Sequence, residues 1–315
     1  MTTDTTDAPP LGRYLASTDK NTRDKAIKNL ATFLSDTENE IPKAEMAKLW
    51  KGIFYCFWMS DKPLVQQALA SELAELMLII TTTSSSLAFL NGFWETLFRE
   101  WNGIDRLRMD KYYMLVRRFV NASFRLLLRN DWEQKICEEY NNILTRQGGP
   151  LCPNDTKVPT SLAYHLSDIY LEELDKVLES IPSASSSTPK VPLLLLLTPF
   201  ITLYARTPST PILKYLHATL MEPLLAVFTS PDAEDETPRS RKRPRLESNT
   251  TQPIYPHVIS DWCRESSAHR VKNQLLRKIF EVASEPQTRD SNRRKMYAIW
   301  EKVKDEDEDE DNKDT

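Results

Sequence analysis

The chain has 315 residues, a net charge of −4, 40% hydrophobic residues and seven tryptophans, enough apolar material for one or two folded domains. Six glycines are few, which disfavours both turn-dense all-β architectures and glycine loops that cradle phosphates. Charge is unevenly spread: residues 305–315 carry eight acids and one lysine, and the remainder holds 40 basic against 37 acidic residues, a body at +3.

Residues 1–10 are polar and rich in Thr and Asp, and read as a disordered N-terminus. From residue 11 to 228 the apolar residues recur at helical spacing. Asp19 is placed to cap a helix carrying Ala26, Ile27, Leu30, Phe33 and Leu34. Pro42 suits the first turn of the next helix, which buries Met46, Trp50, Ile53, Phe54 and Phe57. In WMSDKP, Ser60-Asp61 reads as a cap and Pro63 as a first-turn proline, ahead of Val65, Ala68, Leu69, Leu73, Leu76 and Ile80. A polar break at 81–86 leads into the central stretch, residues 93–129.

That stretch has two helical halves. Leu87, Leu90, Trp94, Leu97, Phe98 and Trp101 line one face of the first. Asn102-Gly103 breaks it, because glycine adopts backbone angles other residues resist. Tyr112, Leu115, Val116, Phe119, Ser123 and Leu126 line the second. Asp131 then reads as the cap of a helix through Trp132, Ile136, Tyr140 and Leu144, which Gly148-Gly149-Pro150 ends. Further on, Leu162, Leu166, Ile169, Tyr170, Leu174, Val177 and Leu178 form a stripe opposite Glu172, Glu173 and Glu179. A Ser-rich linker at 183–188 precedes two helices around 193–205 and 211–228.

Residues 191–205 are the most hydrophobic run, yet a bilayer needs about 20 apolar residues and this run contains two prolines, so it reads as a buried helix. Composition changes at 229–256, a disordered linker holding a basic cluster. Two short basic helices are expected within 257–304, and 305–315 is the acidic tail. No strand-period alternation of any length appears before residue 228. The expected fold is all-α: a right-handed-type helical-hairpin solenoid of the HEAT or armadillo kind, given helix pairs recurring about every 40 residues, or an irregular helical bundle.

Two groups of charged residues stand out. Lys111, Arg118, Arg125 and Arg129 fall within roughly 40° of one another on a helix at 100° per residue, with Arg106 and Arg108 just before them. Such a stripe can track phosphates, meet an acidic protein partner, or pair with acids of a neighbouring helix. The cluster Arg239, Arg241, Lys242, Arg243 and Arg245, beside Pro238 and Pro244, has the compact, extended, basic character that suits the acidic groove of a nuclear import receptor. Nothing points to catalysis. His165, His217, His257 and His269 are isolated, and Cys56, Cys137, Cys152 and Cys263 form no CxxC pair. No P-loop, GxGxxG or GxSxG occurs. No cofactor, metal, membrane or small-molecule substrate is expected.

Four long strings, LWKGIFYCFWMSDKPLVQQALASELAEL (49–76), FWETLFREWNGIDRLRMDKYYMLVRRFV (93–120), VPTSLAYHLSDIYLEEL (158–174) and LLLLLTPFITLYARTPSTPILKYLHATLMEPLL (193–225), closely resemble the nucleolar ribosomal RNA-processing protein 1 family. The resemblance covers most of residues 15–228. It implies a non-enzymatic assembly factor of the large ribosomal subunit, acting in the nucleolus within precursor particles and needed for processing to the 5.8S and large-subunit rRNAs. It also implies a helical, repeat-like fold and no catalytic residues. The role within the particle is either a scaffold for other assembly factors or a direct binder of precursor rRNA.

Overall fold

The computed structural model describes residues 11–36, 41–181, 189–227, 255–265 and 267–311. Every regular element among them is helical, as the periodicity predicts. The chain divides into two compact units, Met1–Pro159 and Thr160–Thr315.

The first unit contains α1 (Leu11–Leu15), α2 (Lys20–Asp36), α3 (Lys43–Trp58), α4 (Pro63–Ile79), α5 (Thr83–Glu100), α6 (Arg106–Arg129) and α7 (Gln134–Thr145), with a 3-10 turn at Trp101–Gly103. Alternate helices stack: α1 on α3, α3 on α5 and α5 on α7 in one row, α2 on α4 and α4 on α6 in the other. That two-row order is the pattern of a helical-hairpin solenoid, in which each hairpin buries its apolar face against its neighbours. The core is aromatic where α3, α5 and α6 meet. Trp50 packs on Phe89, Phe93 and Phe119 at centroid separations of 4.5, 5.5 and 5.6 Å, and Phe93 stacks on Phe119 at 4.0 Å. The Trp50 indole N–H donates to the Phe89 carbonyl at 2.9 Å, so its burial leaves no orphaned donor. Trp94 and Trp101 are buried as expected; Phe98 is only half-buried, because it lies at the edge of the α5 apolar face.

Of the expected caps and buried positions, some hold and some need correction. Asp19 does cap α2, its carboxylate accepting from the Thr22 N–H at 2.7 Å. Asp61 caps nothing: Lys62 holds the cap position of α4 without a side-chain bond, and Pro63 alone supplies the start signal. Asp131 is not a cap either. It and Trp132 adopt left-handed angles (φ 52° and 56°) that turn the chain after α6, and α7 begins three residues later. Phe33 stands 48% exposed, since it lies beside the stripe that α2 buries.

The second unit contains α8 (Thr160–Glu179), α9 (Leu193–Arg206), α10 (Thr210–Leu216), α11 (Glu222–Ala226), α12 (Pro256–Cys263), α13 (Ala268–Ser284) and α14 (Asp290–Asp311), with a π turn at His217–Met221 joining α10 to α11. The hydrophobic run is α9, largely buried despite Pro199. The basic helices are not a separate tail. α12 returns to α8, where the Asp175 carboxylate accepts from the His257 and Val258 N–H groups at 2.8 and 2.9 Å. α13 and α14 both pack on α9. Their apolar faces close a core that α8 and α9 would otherwise leave open.

Candidate interaction surface

The α6 helix starts where Asp105 accepts from the Arg108 N–H at 3.1 Å, a side-chain cap that satisfies one of the free donors of the first turn. Its apolar face packs against α4 and α5, and the cation row follows the seam with α4. The six cations part company there. Lys111 is buried: its ammonium donates to the carbonyls of Phe57, Trp58 and Ser60 at 2.9, 2.8 and 2.9 Å, beneath the α3–α4 connection. Burial pushes its pKa down to about 8, against which the coulombic pull of Asp61 acts. Arg108 pairs with Asp105, approaches Asp61 at 3.8 Å and lies over the Trp58 ring at 4.8 Å. Its guanidinium holds the Asp105 carboxyl below the usual carboxylate range. Arg125 forms a two-pronged pair with Glu75 on α4, and Arg129 donates to the Leu78 carbonyl at 2.6 Å.

Arg106 and Arg118 are the two cations of the row that are exposed and have no partner among the described residues. Two apolar side chains that sequence reasoning missed lie near Arg106, at the start of α6 and of α4. Leu107 and Leu64 are 93% and 80% exposed, on the two chain segments that Lys111 and Arg108 tie together. Helical periodicity carries no signal for them, because a lone leucine on a polar face looks like ordinary pattern noise. The basic cluster at 239–245 lies outside the described residues.

Metal-ligand clusters and membrane-length helices are both absent among the described residues: no three His, Cys, Asp or Glu side chains converge, and no helix is long and apolar enough to cross a membrane. The four cysteines are free thiols, and burial raises the Cys56 and Cys137 pKa values to about 12 and about 11, away from nucleophilic use.

A family model described as nucleolar protein Nop52 matches residues 6–315. The chain belongs to the Nop52 family. Curated relatives agree. The human ribosomal RNA processing protein 1 homolog B is 42% identical over 167 residues, 52% of this chain and 22% of that protein. The human homolog A is 28% identical over 330 residues, 94% of this chain and 70% of that protein. The Drosophila melanogaster homolog is 32% identical over 197 residues, covering 61% of this chain and 27% of that protein. The chain thus spans less than a quarter of the length of the human and mouse homolog B proteins. The resemblance seen in the four sequence strings is family membership, and the helical fold expected of a Nop52 protein is the fold observed.

Proposed function

We propose that the chain is a non-enzymatic nucleolar assembly factor of the large ribosomal subunit, a helical scaffold within precursor particles that supports processing to the 5.8S and large-subunit rRNAs. Family membership supports the process, through relatives named for ribosomal RNA processing. The observation that carries the scaffold role is the fate of the cation row: Lys111, Arg108, Arg125 and Arg129 are bonded within the chain. A phosphate-tracking groove needs its cations free, because affinity for RNA comes from counterions released at each neutralised phosphate. Two free arginines, one of them (Arg106) next to the exposed Leu107, suit a protein partner better.

Direct contact with precursor rRNA is the second reading, favoured by the exposure of Arg106 and Arg118. The pair Arg106→Glu with Arg118→Glu separates the two readings without breaking an intramolecular bond. On the scaffold reading the folded variant leaves large-subunit precursors in gradient sedimentation, loses one protein partner and keeps its RNA affinity. On the rRNA reading the salt slope of RNA binding falls by about 0.7–1 for each lost phosphate contact. Normal entry into precursors together with normal rRNA processing sinks both. Entry to the nucleus is assigned to the cluster at 239–245, handed to an import receptor.

A further inference from the structure

The crossing of α1 over α3 leaves a groove in the first unit. Gly12 and Gly52 meet there: a Cβ on Gly52 would lie 2.8 Å from both the Cα and the carbonyl oxygen of Gly12, and one on Gly12 would lie 3.3 Å from the Lys48 carbonyl. With no side chains at the crossing, backbone forms part of the floor. A cavity of about 650 Å³ opens beside it, lined by Leu11, Ala16, Phe33, Ile41, Leu49 and Tyr55. That volume falls within the roughly 300–1000 Å³ of ligand-binding pockets. Its rim carries Arg13, Glu45, Lys48 and Lys51. Glu45 neutralises Lys48 at 2.8 Å, while Arg13 and Lys51 are exposed and have no carboxylate partner among the described residues.

We propose that this groove receives an apolar peptide segment flanked by acidic residues, contributed by a partner protein. Three features select that occupant. The trough offers almost no polar groups with which to orient a small polar ligand. Among the described residues the rim has two cations without a carboxylate partner and no unpaired carboxylate, which favours negative flanks and rejects positive ones. An open trough between helices accepts the apolar face of a helix through anchors at i, i+3, i+4 and i+7. The proposal deepens the scaffold reading by giving it a contact point, and it is tested on purified protein, apart from particle entry.

The full chain is titrated by fluorescence anisotropy with a labelled amphipathic helical peptide bearing leucines at i, i+3, i+4 and i+7 and glutamates at both flanks. A twin peptide has lysines in place of the glutamates. The glutamate-flanked peptide should bind saturably, about tenfold or more tighter than its twin. Ala16→Glu, at an exposed lining position, should abolish binding while the circular-dichroism spectrum stays unchanged. Arg13→Glu with Lys51→Glu should reverse the preference towards the lysine twin. Equal binding of the twins, no binding of either, or binding indifferent to Ala16→Glu overturns the proposal. So does a self-association in sedimentation velocity that Ala16→Glu weakens, which would give the groove to a second copy of the chain. None of these outcomes touches particle entry by the Arg106/Arg118 variant, so the two readings fail separately.

Discussion

Lys111 shows why a charged residue need not be a surface residue. It is 4% exposed, and three carbonyls at the end of α3 accept from its ammonium. Lys111→Met would leave those acceptors without a donor, at an expected cost of about 1–3 kcal/mol at neutral pH, read by urea denaturation. The pH dependence has a definite sign. With a folded pKa of about 8 against 10.5, the unfolded chain keeps a proton that the folded chain releases between those values. Stability should therefore climb with pH from about 8 to 10.5 in wild type, and Lys111→Met should lack that rise. Parallel stability curves for the two proteins over this window would show that the ammonium is not held in a desolvated site.

Four of the helices, α3, α4, α9 and α13, end in the same way. A helix leaves its last carbonyls without intrahelical donors, and glycine in a left-handed conformation commonly helps to satisfy them. This chain has six glycines, and only Gly148 among the described ones has a positive φ. Side chains from later helices take over. Lys111 closes α3, Arg129 closes α4, and Asn292 donates to Tyr204, Ala205 and Thr207 at the end of α9. Arg293 does the same for Ala283, Glu285 and Thr288 after α13. Arg129, Asn292 and Arg293 thus each tie a helix end to the helix stacked on it. Gly52 serves stacking differently, through close backbone approach. Gly52→Ala would place a methyl 2.8 Å from Gly12 backbone that has no rotamer to yield. It should cost about 1–3 kcal/mol and lift α1 from α3, so that limited proteolysis releases the N-terminal helix first. Wild-type proteolysis kinetics would show that the crossing tolerates the extra atom.

At the scale of the molecule, the division after Pro159 has a thermodynamic consequence. Trp94 is 2% exposed in the first unit, and its removal should cost about 3–5 kcal/mol there. Asn292→Ala should cost about 1–3 kcal/mol in the second unit by stranding the α9 carbonyls. The two share no partner, so their effects should add within about 0.5 kcal/mol, and a larger interaction term in the double mutant would show the units to be one cooperative block. Localisation also belongs at this scale. Arg241→Ala, Lys242→Ala and Arg243→Ala together should reduce nuclear accumulation of a fluorescent fusion while its melting curve is unchanged. Full nucleolar signal from that fusion would move the import function to another part of the chain or to a carried-in partner.

What the sequence alone determined was periodic and local. Apolar spacing identified the helices, the buried aromatic face of α5 and α6, and the burial of α9, because helical geometry turns position along the chain into position on a face. The idiosyncratic strings around WMSDKP and GIDRLRMDKYY carried the family. Tertiary structure decided what spacing cannot encode, namely which neighbour covers a face. Lys111 and Arg118 share a stripe seven residues apart, yet one lies under the α3–α4 connection and the other meets solvent. The basic C-terminal helices were legible as helices, but what their apolar faces meet, α8 for α12 and α9 for α13 and α14, was decided only by the tertiary structure. The groove at Gly12 and Gly52 was invisible for the same reason: two glycines forty residues apart become a floor only when their helices cross.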